Sequence, residues 1–319
     1  MSEITILENK SEIGAGTRGA SLGIEALKLA STGDEKSLFA KYASTQIDHR
    51  NELLLQHNAT PNAIRIEGIV EVYEKLQAKV FDLLDTHKFP VVLAADHASA
   101  GGTIAGIKKK FPEKRLGVIW IDAHADLHSP YTTPSGNVHG MPLAVSIADD
   151  NQESRINEPD ETTINAWERL KQMGDQSPKL EATDIVFFGV RDTEAPEEYL
   201  MNKHRIKNFT VEECREKGMD SCANSALAQL GDCDLLYVSF DVDSMDPDIV
   251  SYGTGTPVPN GFYPEEIKEL MGQLLSDKRL VCVEMVEINP LLDKKNKMAE
   301  TAYQILKESV EIIQKNIVE

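Results

Sequence analysis

The stretch LGVIWIDAHAD, residues 116–126, joins an apolar run to a cluster of polar side chains. Its first part, Leu116 to Ile121, is short, continuous and apolar, as expected of a central strand in a parallel sheet. Asp122, His124 and Asp126 follow at alternate positions, and alternate side chains of an extended segment point the same way. The sequence therefore predicts three potential metal ligands at the end of one buried strand.

Similar apolar runs occur on both sides of this stretch and alternate with longer amphipathic segments. The other predicted strands are Val91 to Ala95, Ile185 to Val190, Leu235 to Phe240 and Leu280 to Val286. The clearest predicted helices are Ile69 to Thr86, Pro264 to Ser276 and Met298 to Lys315. This βαβ alternation predicts an α/β fold, in which helices cover both faces of a parallel sheet.

The chain shows no internal repeat and no linker rich in Pro, Gly or Ser. With 41% hydrophobic residues it can bury a sizeable core, so we expect one domain over residues 1–319. Two polar insertions, roughly Thr32 to Asn62 and Asp149 to Lys179, have no role that the sequence reveals.

Charge and cysteine content narrow the possible partners and location. The 33 basic and 52 acidic residues give a net charge of −19, which repels nucleic acid and anionic membrane surfaces. The four cysteines form no CxxC pair, which favours a reducing, cytoplasmic compartment. The first residues do not resemble a signal peptide, and no run of 18 apolar residues predicts a spanning helix.

Polar residues also follow two other predicted strands. Asp96 and His97 come after one strand, and Asp241 and Asp243 end another. In open parallel sheets the carboxyl ends of the strands form the ligand-binding edge, so these groups should meet the Asp122 cluster. Burying so many carboxylates together is costly without bound cations. Imidazoles and carboxylates without thiolates suit Mn²⁺ or another hard to borderline ion.

Several motifs together resemble the ureohydrolase family, and most closely its arginases. They are AADHASAGGT (94–103), WIDAHADLHSP (120–130), SGNVHGMP (135–142), SFDVDSMDP (239–247) and EINP (287–290). The similarity extends over nearly the whole chain. It implies the arginase fold, a three-layer αβα domain with an eight-stranded, mainly parallel sheet. It also implies a homo-oligomer, a trimer or a hexamer.

The resemblance further implies two Mn²⁺ ions per chain. One would be held by His97, Asp122, Asp126 and Asp241, and the other by Asp122, His124, Asp241 and Asp243. Two-metal sites of this kind lower the pKa of a shared water, so that hydroxide is available near neutral pH. The implied reaction is hydrolysis of L-arginine to L-ornithine and urea.

Two further residues match catalytic positions of the family. Glu287, directly after a predicted strand, matches the glutamate that holds the guanidinium group beside the metals. His139 matches the histidine proposed to carry a proton to the departing amine, a role that suits a side chain titrating near neutral pH. Two divalent ions offset four aspartates, so the remaining negative charge favours a cationic substrate.

The far end of the substrate is implied to meet a second group of residues. Ser135 and Asn137, with Thr133 nearby, match the loop that contacts the α-carboxylate in arginases, which favours arginine over agmatine. The acids Glu194 and Glu197 match those that meet the α-ammonium, and Thr256 is expected to help position the guanidinium. Two members of this pocket depart from the family pattern. Glu194 stands where aspartate is usual, and His128, where asparagine is usual, is expected to make one donor contact to the carboxylate.

Three alternatives remain open at this point. A related ureohydrolase that acts on guanidinobutyrate, agmatine or formimidoylglutamate would use the same metal chemistry. A deacetylase-like enzyme on a related fold would use a single metal. A catalytically silent homologue would bind metal and a guanidino ligand without turnover.

Overall fold

The computed structural model describes residues 3–318, and its centre is one sheet of eight strands. The sheet has the order β2-β1-β3-β8-β7-β4-β5-β6, and every neighbouring pair is parallel. The predicted eight-stranded parallel sheet is confirmed. The strands are β1 (Glu3–Asn9), β2 (Ala43–Gln46), β3 (Lys88–Ala94), β4 (Leu116–Ile121), β5 (Ile185–Phe188), β6 (Lys207–Phe209), β7 (Leu235–Asp241) and β8 (Leu280–Val286).

Helices cover both faces of the sheet, as the three-layer αβα prediction required. They are α1 (Gly23–Ala30), α2 (Leu38–Lys41), α3 (Ile66–Asp85), α4 (Ser99–Lys110), α5 (Pro142–Ile147), α6 (Glu161–Gln172), α7 (Ala195–His204), α8 (Val211–Lys217), α9 (Met219–Gln229), α10 (Pro264–Leu274) and α11 (Lys297–Val318). One hydrophobic core packs α1, α9, α10 and α11 on the sheet, and a second packs α3, α4, α5 and α6. Within residues 3–318, no helix combines the length and apolar character needed to cross a membrane.

The predicted strands that surround the site are present with nearly the predicted bounds. β4 and β8 coincide with the prediction, β7 runs one residue further, and β5 ends two residues earlier at Phe188. Three strands were not predicted. β2 and β6 are short sheet edges with polar, partly exposed residues, so they lack the apolar run that marks a buried strand. β1 is buried after its first residue, but its seven residues include four polar ones.

Both insertions have a place in the fold. The first contains α2 and β2 and so supplies one edge of the sheet. The second contains α6, which packs on α3, and is held by Lys179. The buried Lys179 ammonium donates to three backbone carbonyls, those of Val145, Leu170 and Lys171. This side chain ties the end of α6 to α5.

Helices α3 and α4 pack closely because α4 carries glycines at their interface. A Cβ on Gly106 would lie 2.6 Å from Val80 Cβ and 2.9 Å from the carbonyl oxygen of Gln77. Contacts of that length do not occur between real side chains, so the backbones would have to separate. The close approach holds α4 against α3, and α4 begins two residues after His97.

We expect Gly106→Ala to lower the free energy of unfolding by about 1–3 kcal/mol, because the added methyl group overpacks this interface. The matched control is Gly272→Ala in α10, where a Cβ has no other atom within 4 Å. That change should be neutral or stabilise by roughly 0.5–1 kcal/mol through helix propensity. Denaturant unfolding monitored by circular dichroism measures both variants. Equal stability of the two would contradict the packing argument.

Candidate metal centre and substrate pocket

The predicted metal ligands converge at the carboxyl edge of the sheet. Asp122 follows β4, Asp241 ends β7, and His97 lies between β3 and α4. Because β3, β8, β7 and β4 are consecutive neighbours in the sheet, their carboxyl ends bring these side chains together. All three are buried.

His97 is the centre of a first group of ligands. Its Nδ1 lies 2.9 Å from Asp122 Oδ2, 3.2 Å from Asp126 Oδ2 and 3.3 Å from Asp241 Oδ2. Three carboxylates from two segments thus surround one imidazole nitrogen. The predicted set of four ligands for one ion is therefore gathered in one place.

Two neighbours fix the ring of His97. Its Nε2 lies 2.8 Å from the Ser239 hydroxyl, and its plane stacks on Trp120 with ring centroids 4.0 Å apart. A partner on the far nitrogen sets the tautomer and orientation of a metal-binding imidazole. Ser239 was not predicted, although it precedes Asp241 by two residues on β7, and strand alternation places both on one face.

His124 forms a second group with Asp243 and Asp122. Its Nδ1 lies 3.0 Å from Asp243 Oδ2 and 3.5 Å from Asp122 Oδ1. Asp122 therefore belongs to both groups, with one oxygen facing each histidine. Asp241 lies between them, since its Oδ1 accepts from the Asp243 backbone N–H at 2.8 Å.

The carboxylates in this cluster perturb one another strongly. Burial, then repulsion from Asp243 and Asp122, raises the pKa of Asp241 well above its usual range. Burial and the charge of Asp122 raise the pKa of Asp126 to about 8. The two histidines have the opposite effect on Asp122, whose pKa is lowered despite its burial. So much negative charge in a buried place favours a site for cations.

The donor atoms fit a divalent metal. Among the described residues, His97 Nδ1 and Asp122 Oδ2 are buried and make no hydrogen bond, although they lie 2.9 Å apart. Buried polar atoms are nearly always hydrogen-bonded unless an ion takes that place. Imidazole nitrogens and carboxylate oxygens without a thiolate are the donors of a hard or borderline ion. These residues therefore satisfy the test for a metal site.

Glu287 and His139 lie next to this centre. His139 Nδ1 is 3.0 Å from Glu287 Oε1, which also accepts from the backbone N–H of His97 at 3.0 Å. Burial opposes the charge of His139, but the Glu287 carboxylate outweighs it and raises the pKa of His139 to about 9. Within the described chain, Glu287 Oε2 is buried and has no hydrogen-bond partner. This oxygen can accept from a bound cation.

Two residues of the site adopt left-handed backbone conformations. Asp126 has φ +51° and Glu287 has φ +68°. Such conformations cost energy for residues other than glycine and occur where the surrounding structure enforces them, often at functional sites.

A cavity of about 120 Å³ opens beside the metal ligands. The cavity is lined by fourteen of the fifteen predicted site residues, and Glu287 is reached through its contact with His139. At the far end, Thr133 Oγ1 accepts from Gly136 N–H, and Ser135 Oγ accepts from Asn137 N–H. Gly136 has φ +76°, and a Cβ there would meet the carbonyl oxygen of Pro61. Only glycine fits this turn, which sets the direction of its two neighbours.

The acidic side of the cavity holds His128, Glu194 and Glu197. His128 Nε2 lies 2.9 Å from Glu194 Oε2, and His128 Nδ1 lies 3.2 Å from the Thr132 hydroxyl. Thr256 lies opposite, where its hydroxyl donates to Asp243 Oδ2 at 3.0 Å. We expected a contact from His128 to a substrate carboxylate, but both of its ring nitrogens face protein oxygens.

Arg191 organises the rim of the metal centre and was not predicted. Its guanidinium donates to the backbone carbonyls of Gly189, Asp243, Val258 and Pro259. It thereby joins the end of β5, the Asp243 turn and the loop that carries Thr256. No sequence signal gives this role, because all four acceptors are backbone atoms from three distant segments.

The parallel sheet and its carboxylate-rich edge define an α/β protein with a candidate metal centre. The chain belongs to the arginase family, whose members hydrolyse guanidino and amidino substrates, since the family model described as "Arginase family" matches residues 3–310.

Relatives and solved structures agree with this membership. An arginase from Brevibacillus brevis is 35% identical, over 92% of this chain and 93% of its own. The structure of Bacillus caldovelox arginase has a TM-score of 0.81 at 31% identity and covers 97% and 98% of the two chains. A Bacillus subtilis formimidoylglutamase structure is more distant, with a TM-score of 0.74 at 17% identity over 98% and 88% of the chains, and shows the fold alone.

Ser239→Ala removes the partner of His97 Nε2, so we expect metal to be held about 10- to 100-fold more weakly. Titration of the purified protein with Mn²⁺, followed by elemental analysis, measures this affinity. Ser225→Ala is the matched control, because Ser225 bonds only within α9 on the surface. If both variants bind metal like the parent protein, Ser239 does not orient His97.

Proposed function

We propose that this protein is a binuclear manganese amidinohydrolase that hydrolyses L-arginine to L-ornithine and urea. The single observation that carries the proposal is the position of Asp122, whose two oxygens face the two histidines of adjacent ligand groups. One carboxylate shared between two groups is the arrangement that two neighbouring ions require.

The two ions would be Mn²⁺, held by the ligands named for each group. His97, Asp122, Asp126 and Asp241 would hold one, and Asp122, His124, Asp241 and Asp243 the other. When bound, such a pair supplies activation of water near neutral pH. Ser239 and Thr256 keep His97 and Asp243 in place, since each bonds one of these ligands from outside the centre.

Glu287 and His139 would act on the guanidinium group. Glu287 Oε2 is the buried acceptor without a protein partner, so it holds the guanidinium beside the ligands. His139 shares Glu287 Oε1 and is kept protonated by that carboxylate. From this position it donates a proton to the nitrogen that leaves as the amine of ornithine.

The other end of the cavity would bind the amino-acid end of the substrate. Ser135 and Asn137 lie on the Gly136 turn, and their hydroxyl and amide groups would donate to the α-carboxylate, with Thr133 supporting the turn. Glu194 and Glu197 lie across from them and would face the α-ammonium. Agmatine lacks the carboxylate and would leave these donors unpaired.

We further propose that residues 1–319 act as one catalytic domain, in a cytoplasmic homo-oligomer, a trimer or a hexamer. These statements rest on the resemblance to arginases and on the reduced cysteines. Nucleic acid is not among the proposed partners, because the net charge is −19.

The test of the reaction is urea release by the manganese-loaded protein from L-arginine, agmatine and 4-guanidinobutyrate, compared with formamide release from formimidoylglutamate. We expect turnover of arginine and little of agmatine, because only arginine offers a carboxylate to Ser135 and Asn137. Urea from agmatine alone would contradict the substrate assignment. Release of neither urea nor formamide from these compounds would favour a silent homologue.

Asp126→Asn should abolish urea release and weaken metal retention, because one carboxylate is lost from the first ligand group. The matched control is Asp232→Asn, since the Asp232 side chain is 91% exposed and far from the centre in the sheet. Steady-state kinetics and metal content are measured on both. Full activity of the Asp126 variant with two bound metals would rule out its assignment as a ligand.

A further inference from the structure

The acids at the far end of the cavity already have a partner within the protein. His128 Nε2 lies 2.9 Å from Glu194 Oε2 and 3.5 Å from Glu197 Oε2. His128 and Glu197 are 6% and 3% exposed, so their contact is shielded from water, whereas the Glu194 side chain is 56% exposed. Thr132 holds the other ring nitrogen at 3.2 Å, which keeps the imidazole directed at the acids. An imidazole N–H thus occupies the place where a cationic substrate group would bind.

The same acids also cap helix α7. Glu197 Oε1 accepts from the Leu127 N–H and Glu197 Oε2 from the Glu194 N–H, both at 3.2 Å. The Glu194 side chain accepts in turn from the Glu197 N–H, which completes a capping box. Three backbone donors and one imidazole therefore share two carboxylates. A substrate ammonium would therefore have to share these carboxylates with donors of the protein.

The donors for a substrate carboxylate are not affected. Ser135 is exposed, Asn137 is half-buried, and both line the cavity. The site therefore binds the two polar ends of an amino acid unequally. The carboxylate meets free donors, whereas the ammonium meets acids that are already hydrogen-bonded.

We propose that the site accepts ω-guanidino carboxylates without an α-ammonium almost as well as L-arginine, and that His128 determines this specificity. The inference rests on the proposed function and names a further substrate class for the same site. The probe is 5-guanidinopentanoate, which differs from arginine only by a hydrogen in place of the α-ammonium. Water adds to its guanidinium carbon, the bond from that carbon to the alkyl nitrogen breaks, and the products are urea and 5-aminopentanoate.

The experiment compares kcat/KM for L-arginine and 5-guanidinopentanoate with the manganese-loaded full chain. We expect the two values to lie within about tenfold of each other in the parent protein. In His128→Asn the ratio should shift at least about tenfold towards arginine, through a lower KM for arginine, because Glu194 becomes free to accept the ammonium. Both constants come from one preparation, so any misfolded fraction cancels from the ratio.

The matched control is Ser135→Ala, which should weaken both substrates to a similar extent and leave the ratio unchanged, because both carry the carboxylate. A parent protein that prefers arginine by more than about tenfold would overturn the inference, as would an unchanged ratio in His128→Asn. Either result would leave the proposed function intact. Urea from neither substrate would overturn the proposed function and this inference together.

Discussion

The structure has to offset the electrostatic cost of a buried carboxylate cluster, which consists of Asp122, Asp126, Asp241 and Asp243. Burial and mutual repulsion raise the pKa of Asp241 well above its usual range and that of Asp126 to about 8. Protons or hydrogen bonds within the protein offset this cost only in part, since His97 Nδ1 has no hydrogen-bond partner in the described chain. Bound divalent cations would offset the remaining cost, so the buried carboxylates that destabilise the metal-free chain are also the groups that would bind metal.

The parallel sheet makes this concentration of charge possible. Strands β3, β8, β7 and β4 are neighbours in space but come from separate parts of the chain, and each delivers polar residues at its carboxyl end. Surrounding residues then restrict each ligand: Ser239 and Trp120 hold the His97 ring, and Arg191 holds the backbone of Asp243. A buried frame of apolar strands carries the site, so its geometry is largely preformed.

The sequence predicts the centre of the molecule better than its edges. β4 is a continuous apolar run and β8 is apolar except for Glu284, so their bounds follow from composition, and the ligands follow from alternation after each strand. β2 and β6 are too short and polar to carry such a signal. The pairing of His128 with Glu194 joins residues 66 positions apart through a loop and a helix start, and no local pattern encodes it. Sequence therefore predicts which groups meet, but not how their hydrogen bonds are shared.

The most direct measurement of the central claim is thermal unfolding of the chain in Mn²⁺ and, in the same buffer, in a chelator. If buried carboxylates depend on divalent ions, Mn²⁺ should raise the Tm by at least about 5 °C, and the Tm should keep rising with its concentration. Elemental analysis of the stabilised protein should then give two ions per chain. An identical Tm in both conditions would show that the carboxylate cluster is stable without cations, and would contradict the account.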